Sequence, residues 1–124
     1  MNVLTTHSSW LFASLVTGCN GLLSGSGSVI ADLQARLFRA VNANDLAEAK
    51  RLDERIQPTA RVFYADPFVD MHNRMKEALV LLGELPRAVV RPPLVKLERA
   101  EIARIREALI EAGLLDKKAA RDAA

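Results

Sequence analysis

The sequence predicts an α/β chain that is mostly helical, with two short strands, each followed by a helix, and then a run of helices. Three observations carry this. Leu22-Leu23, set between glycines, empties into Ser24-Gly25-Ser26-Gly27-Ser28, and a strongly periodic segment follows as far as Val41. That is the written form of one strand, one loop and one helix. A second β-leaning run, Val3-Leu4-Thr5-Thr6, precedes it, and beyond residue 43 the apolar residues recur at helical spacing. In a βα unit, chemistry sits at the C-terminal end of the strand, where the loop backbone can approach a ligand.

The elements follow in order. Residues 2–6 read as the first strand. Ser8 or Ser9 is expected to cap a helix over residues 10–17, which Gly18 ends. Residues 21–24 form the second strand. The helix over residues 28–43 places Ile30, Leu33, Leu37 and Val41 on one face. Asp32 falls in its predicted first turn, where the helix dipole favours an acid, with Arg36 and Arg39 further along. Residues 42–45 break it. Asp45 and Glu48 then make a capping-box pattern, and Leu46, Ala49, Leu52 or Asp53, and Ile56 carry the next helix.

Pro58 lies well inside that pattern and predicts a kink or a short interruption, and Asp66-Pro67 stops the helix. Met71, Met75, Ala78, Leu79 and Leu82 mark another helix, closed by Gly83 with Pro86 beyond. Leu79-Val80-Leu81-Leu82 is apolar on every side, which predicts burial from both directions. The last helix, over residues 100–112, turns Ile102, Ile105 and Leu109 inward. Its outer face carries Glu101, Arg104 and Glu107 at i,i+3 spacing, each pair worth ~0.2–0.5 kcal/mol. Residues 116–124 are expected to fray.

At 124 residues the chain is long enough for a domain with a core. Half of it is apolar and 26% is charged, ordinary usage for a globular protein rather than a disordered one. The formal charge is only +2. Acids and bases interleave, as in Glu98-Arg99, Glu101, Arg104 and Arg106-Glu107, so no stripe tracks phosphates and no nucleic-acid partner is expected. The single cysteine, Cys19, forms no internal disulfide and suits a reducing compartment, here read as the cytoplasm. Val16-Thr17-Gly18-Cys19 resembles a bacterial lipobox, but residues 1–9 hold no Lys or Arg. The apolar run before it is far shorter than the ~20 residues a bilayer requires, so no membrane partner is expected.

Several segments then fall into a recognisable order. Gly18-Cys19-Asn20-Gly21-Leu22-Leu23-Ser24, Asn44-Asp45-Leu46-Ala47-Glu48-Ala49, Lys76-Glu77-Ala78-Leu79 before Leu82-Gly83, Val90-Arg91-Pro92-Pro93-Leu94, and Ala112-Gly113-Leu114 follow one another. In this order and spacing they resemble the C-terminal part of the dihydrodipicolinate synthase / N-acetylneuraminate lyase family, over about residues 3–115. The resemblance implies a (β/α)8 barrel of ~250 residues followed by a small helical domain. Residues 1–43 would be its seventh and eighth βα units, residues 44–115 the C-terminal helical appendage, which usually helps shape the oligomer, and residues 116–124 a tail. The first six units are expected to lie outside this chain.

The family's chemistry, as the resemblance implies it, is a Schiff base between a lysine and the keto carbon of pyruvate or a related 2-oxo acid. The protonated imine serves as the electron sink for aldol cleavage, condensation or dehydration, with no cofactor. The lysine belongs to the sixth strand and its partner tyrosine to the fifth. Lys50, Lys76 and Lys96 fall on helices or near the Pro-Pro-Leu segment, and Lys117 and Lys118 in the tail, so none matches. No catalytic residue is assigned, and the chain alone is expected to be inactive. Its expected partners are the remaining barrel portion, or further copies of itself, and a 2-oxo acid in the complete enzyme.

Two residues carry over as substrate-binding wall. Leu23 matches the apolar residue that packs against pyruvate. Thr6 stands where the family often has glycine, and His7 and Ser8 replace an acidic pair of the lysine-biosynthetic members. That departure sets a sugar-acid aldolase or dehydratase at least level with the dihydrodipicolinate-forming branch. Blander readings stand beside these: Leu23 as a core leucine, Thr6 as a strand former, His7 as a polar loop residue. A lone His72 makes no metal site. Cys19 reads as an inert small apolar residue and the Ser/Gly loop as a tight turn. Two strands without neighbours predict a loosely packed or self-associating chain. The competing function class is a non-catalytic helical interaction module, or the remnant of a truncated gene.

Overall fold

The computed structural model describes residues 1–116, so the predicted tail beyond Asp116 lies outside the described residues. The chain divides into two compact units, Met1–Ala60 and Arg61–Ala124, with the division inside a helix.

The first unit opens on strand β1 (Leu4–Thr5) and a 3-10 turn (Ser8–Trp10), which leads into helix α1 (Leu11–Val16). Strand β2 (Gly21–Leu22) and helix α2 (Gly27–Asn42) follow. β1 and β2 pair in parallel, Leu4 opposite Gly21 and Thr5 opposite Leu22. Parallel neighbours need a crossover between them, and α1 is that crossover. Gly21 suits the pairing, because a Cβ there would stand 3.1 Å from Leu4 Cδ2. Both strands are shorter than predicted, and the second ends at Leu22 rather than residue 24.

The end of α1 follows the predicted glycine stop. Gly18 has φ +106, and the Gly18 and Cys19 amides donate to the carbonyls of Leu15 (3.1 Å) and Ser14 (3.0 Å). Its start differs from the expectation. Neither serine caps it: the Ser9 amide donates to His7 Nδ1 at 3.3 Å, and Ser8 is drawn into the interior. α2 buries Ile30, Leu33 and Leu37 as predicted, but adds Ala40 and Gln34 while Val41 stays half-buried. Ile30 has non-helical backbone angles (φ −120, ψ 31), so the first turn is set off from the rest. α2 begins at Gly27, which leaves Asp32 beyond the first turn and exposed.

Helix α3 (Leu46–Phe63) runs through Pro58 without the predicted interruption. Its buried stripe is Ala49, Leu52, Ile56 and Ala60, while Leu46 is exposed. Half of the capping box is present. The Asp45 carboxylate accepts from the Glu48 amide at 3.0 Å, but the Asp45 amide donates to the Ala40 carbonyl, and Glu48 turns to Arg36 and Arg51 instead.

In the second unit, a 3-10 turn (Phe68–Asp70) leads into α4 (Met71–Leu81), and α5 (Arg99–Glu111) packs against α4. Gly83 (φ +79) closes α4 as predicted. The apolar run Leu79-Val80-Leu81-Leu82 is only half-buried. Successive residues stand ~100° apart around a helix, so four in a row cannot all meet one neighbour. α4 instead buries Asn73, Arg74, Met75, Glu77 and Ala78.

Arg74 organises this unit. Its Nε donates to Glu101 on α5 at 2.5 Å, and its Nη atoms donate to the carbonyls of Phe63 (3.4 Å), Ala65 (2.6 Å) and Asp66 (3.3 Å). A cation thus sits at the carboxyl end of α3, where the helix dipole favours it. Glu101, predicted to serve a solvated outer face, is spent on this buried partner. Asn73 and Lys76 donate to the carbonyls of Val95 (2.8 Å) and Val89 (2.6 Å), pinning the irregular stretch before α5. On α5, Ile105 and Leu109 are buried as expected and Ile102 half-buried. Among the described residues no helix is long and apolar enough to cross a membrane.

Candidate functional site at the strand ends

β1 and β2 point the same way, so their C-terminal ends lie side by side. The Leu23 amide donates to the Thr5 carbonyl at 2.8 Å, extending the ladder one step past the strands. Thr6 and Leu23, the two residues singled out in the sequence, therefore emerge at neighbouring strand ends. Leu23 is 70% exposed. Thr6 is exposed as well.

The loops that follow them share a buried hydroxyl cluster. Ser8 and Ser26 are both 0% exposed and their hydroxyls hydrogen-bond to each other. The Ser24 and Ser26 hydroxyls bond at 2.9 Å. From α2, Gln34 Nε2 donates to Ser26 Oγ at 2.9 Å and to Ser24 Oγ at 3.1 Å. Sequence reading missed this cluster. Its signal was Gln34 itself, a polar residue on the stripe of Ile30, Leu33 and Leu37. The Ser/Gly loop is the predicted tight turn: the Gly27 amide donates to the Ser24 carbonyl at 3.1 Å, and the Val29 and Ile30 amides to that of Ser26.

The other candidates stand apart from chemistry. His7 is half-buried at the start of the 3-10 turn, and Cys19 is half-buried and free. His72 is exposed on α4, and among the described residues no group of three His, Cys, Asp or Glu could hold a metal. Lys50 and Lys76 are exposed, and Lys76 is engaged with a carbonyl. Beside β2, on its face toward α2, a groove of about 280 Å³ is lined by Gly21, Leu22, Gln34, Ala35 and Phe38.

The shifted acidities lie on α3. Hydrogen bonding from Arg51, reinforced by its charge and by Arg36, holds the Glu48 carboxyl below its usual range against a smaller desolvation. Partial burial pushes Asp53 up, opposed by a hydrogen bond from Gln57 at 3.1 Å and helped by the nearby Glu54 charge.

Comparison with known proteins agrees with this geometry. The profile of the dihydrodipicolinate synthetase family matches residues 3–112. YagE of Escherichia coli (strain K12), provisionally named a 2-dehydro-3-deoxy-D-gluconate aldolase, is 30% identical over 108 residues, covering 86% of this chain and 35% of its own. The 4-hydroxy-tetrahydrodipicolinate synthase of Nitratidesulfovibrio vulgaris (strain DP4) is 32% identical over 102 residues, 81% of this chain and 32% of its own. The chain thus spans about a third of the length of these relatives. Among solved structures, a monomeric dihydrodipicolinate synthase variant superposes with a TM-score of 0.83 over 93% of this chain and 37% of its own, at 22% identity, a likeness of fold. YagE in complex with pyruvate gives a TM-score of 0.78 over 91% of this chain and 37% of its own, at 29% identity.

Proposed function

The chain belongs to the dihydrodipicolinate synthetase family, and from that premise we propose that it forms part of the pocket wall of a Schiff-base lyase acting on a 2-oxo acid of the pyruvate class. The observation that carries the reading is the pairing of Thr6 and Leu23 at neighbouring C-terminal strand ends, bridged by the Leu23–Thr5 hydrogen bond. In a barrel enzyme that rim is where substrates react. β1 and β2 serve as its last two strands, and the helices after α2 as an appendage that supports assembly.

The Schiff-base lysine and its tyrosine come from barrel units that this chain does not contribute. A lysine poised for imine formation needs a dry setting that lowers its pKa. Lys50 and Lys76 are exposed on helices, which speaks against either in that role. The chain's own share of the work is to pack Leu23 against the methyl or methylene end of the 2-oxo acid and to narrow the site with Thr6. It acts in the cytoplasm with no cofactor. The rim carries Thr6, His7 and Ser24 rather than acids, which favours a polyhydroxylated 2-oxo acid, the class to which the substrate in YagE's name belongs.

The test is borohydride trapping with pyruvate, read by intact mass, on this chain alone and mixed with a polypeptide carrying the family's first six βα units. A pyruvyl adduct on the added polypeptide, in the mixture only, is the expected result. An adduct on this chain alone overturns the assignment of the lysine elsewhere. No adduct in either sample overturns the lyase reading.

A further inference from the structure

Ser26 is the meeting point of two loops that share no covalent neighbour. Its buried hydroxyl contacts Ser8 of the β1–α1 loop, Ser24 at the end of β2, and Gln34 one helical turn beyond the break at Ile30. Its carbonyl accepts the Val29 and Ile30 amides, at 2.9 and 3.0 Å, so its main chain also holds the first turn of α2. Gly27 leaves room for the arrangement, since a Cβ there would press to 3.2 Å from Gln34 Oε1. Hydroxyls inside a protein that satisfy one another fix a geometry, because breaking one contact strands a buried polar group. Thr6 lies two residues before Ser8, and Leu23 directly before Ser24.

We propose that Ser26 and Gln34 are positioning residues that lock the β1–α1 and β2–α2 loops together, so that Thr6 and Leu23 are presented as one surface. This rests on the reading of those strand ends as substrate wall. The lock touches no substrate itself. It acts by denying either loop independent motion.

Amide hydrogen exchange on the full chain tests it, read crosswise. Ser8→Ala lies in the first loop, and its effect is read at the Gly27 and Val29 amides of the second. Gln34→Met is read at the Trp10 amide, which donates to the His7 carbonyl at 3.0 Å in the first loop. The expected result is exchange faster by about five- to tenfold at the distant loop in both cases, the scale of one lost buried hydrogen bond. Amides of α4 and α5 stay unchanged. Acceleration confined to the substituted loop overturns the proposal.

Ser26→Thr and Ser8→Thr keep a hydroxyl at each position and serve as rescues. Protection returning in either one, relative to the matching alanine, is expected; loss as deep as alanine's in both overturns a role for the hydroxyls. In the trapping mixture, Ser26→Ala is expected to give less adduct than the unaltered chain at limiting pyruvate and as much at saturation, with an unfolding midpoint measured without pyruvate to separate this from general destabilisation. Absence of adduct with the unaltered chain sinks the lyase reading alone, since crosswise exchange still decides whether the loops are locked.

Discussion

Removing the Arg74 guanidinium strands four acceptors at once: the Glu101 carboxylate and the carbonyls of Phe63, Ala65 and Asp66. Arg74→Ala is therefore expected to cost about 3 kcal/mol in urea unfolding, because the half-buried Glu101 loses its partner and three carbonyls lose their donor. Arg74→Met with Glu101→Leu removes both charges and should recover the ion-pair share of that loss, leaving the share of the three carbonyls. A second residue sets a pH dependence. Burial raises the Asp53 pKa in the folded chain, so between its unfolded and folded values the native state holds the extra proton and stability falls as pH rises. Glu48 works in the opposite sense: its lowered pKa contributes stability above the ordinary glutamate range, which is lost on acidification. Asp53→Asn keeps an acceptor for Gln57 and should raise stability at pH 7 slightly, by about 0.5 kcal/mol or less. It should also remove the Asp53 part of the slope, which melts taken from pH 4 to 7 would show.

Helix ends in this chain follow chemistry that is written locally. Gly18 and Gly83 adopt the left-handed backbone that ends α1 and α4, and nothing lies within 4 Å of a Cβ at either. Gly83→Ala is expected to cost about 1 kcal/mol by chemical denaturation, through the backbone alone. Asp45→Ala should cost a similar ~1 kcal/mol, since it removes the hydrogen bond to the Glu48 amide at the start of α3. These stops were legible because each depends on one residue's own geometry. What resisted reading were choices settled by a distant partner. Ser8 looks like a helix cap until Ser26 is brought beside it. Glu101 looks solvated until Arg74 reaches it. The run Leu79–Leu82 looks like a core because apolarity alone does not say which side of α4 another element covers.

At the scale of the molecule, the exposed apolar residues of the small sheet, Val3, Leu4 and Leu23, carry the main liability. Two paired strands offer unpaired main-chain groups on their outer sides. The isolated chain is expected to associate as its concentration rises, and Val3→Lys with Leu4→Lys should reduce this, as light scattering during size-exclusion chromatography would show. The family and the strand-end positions of Thr6 and Leu23 were readable because the segment from Gly18 to Ser24 and the Pro-Pro-Leu stretch keep their order over nearly the whole chain. The hydroxyl lock was not, because it joins residues 18 positions apart whose types are unremarkable singly. Trp10 offers one last consequence. It is the chain's only tryptophan, it is 64% exposed, and it closes the 3-10 turn that begins at Ser8. Indole emission therefore reports on the 3-10 turn beside the strand ends of the first unit, so a ligand or a companion polypeptide arriving there would announce itself without any dye attached.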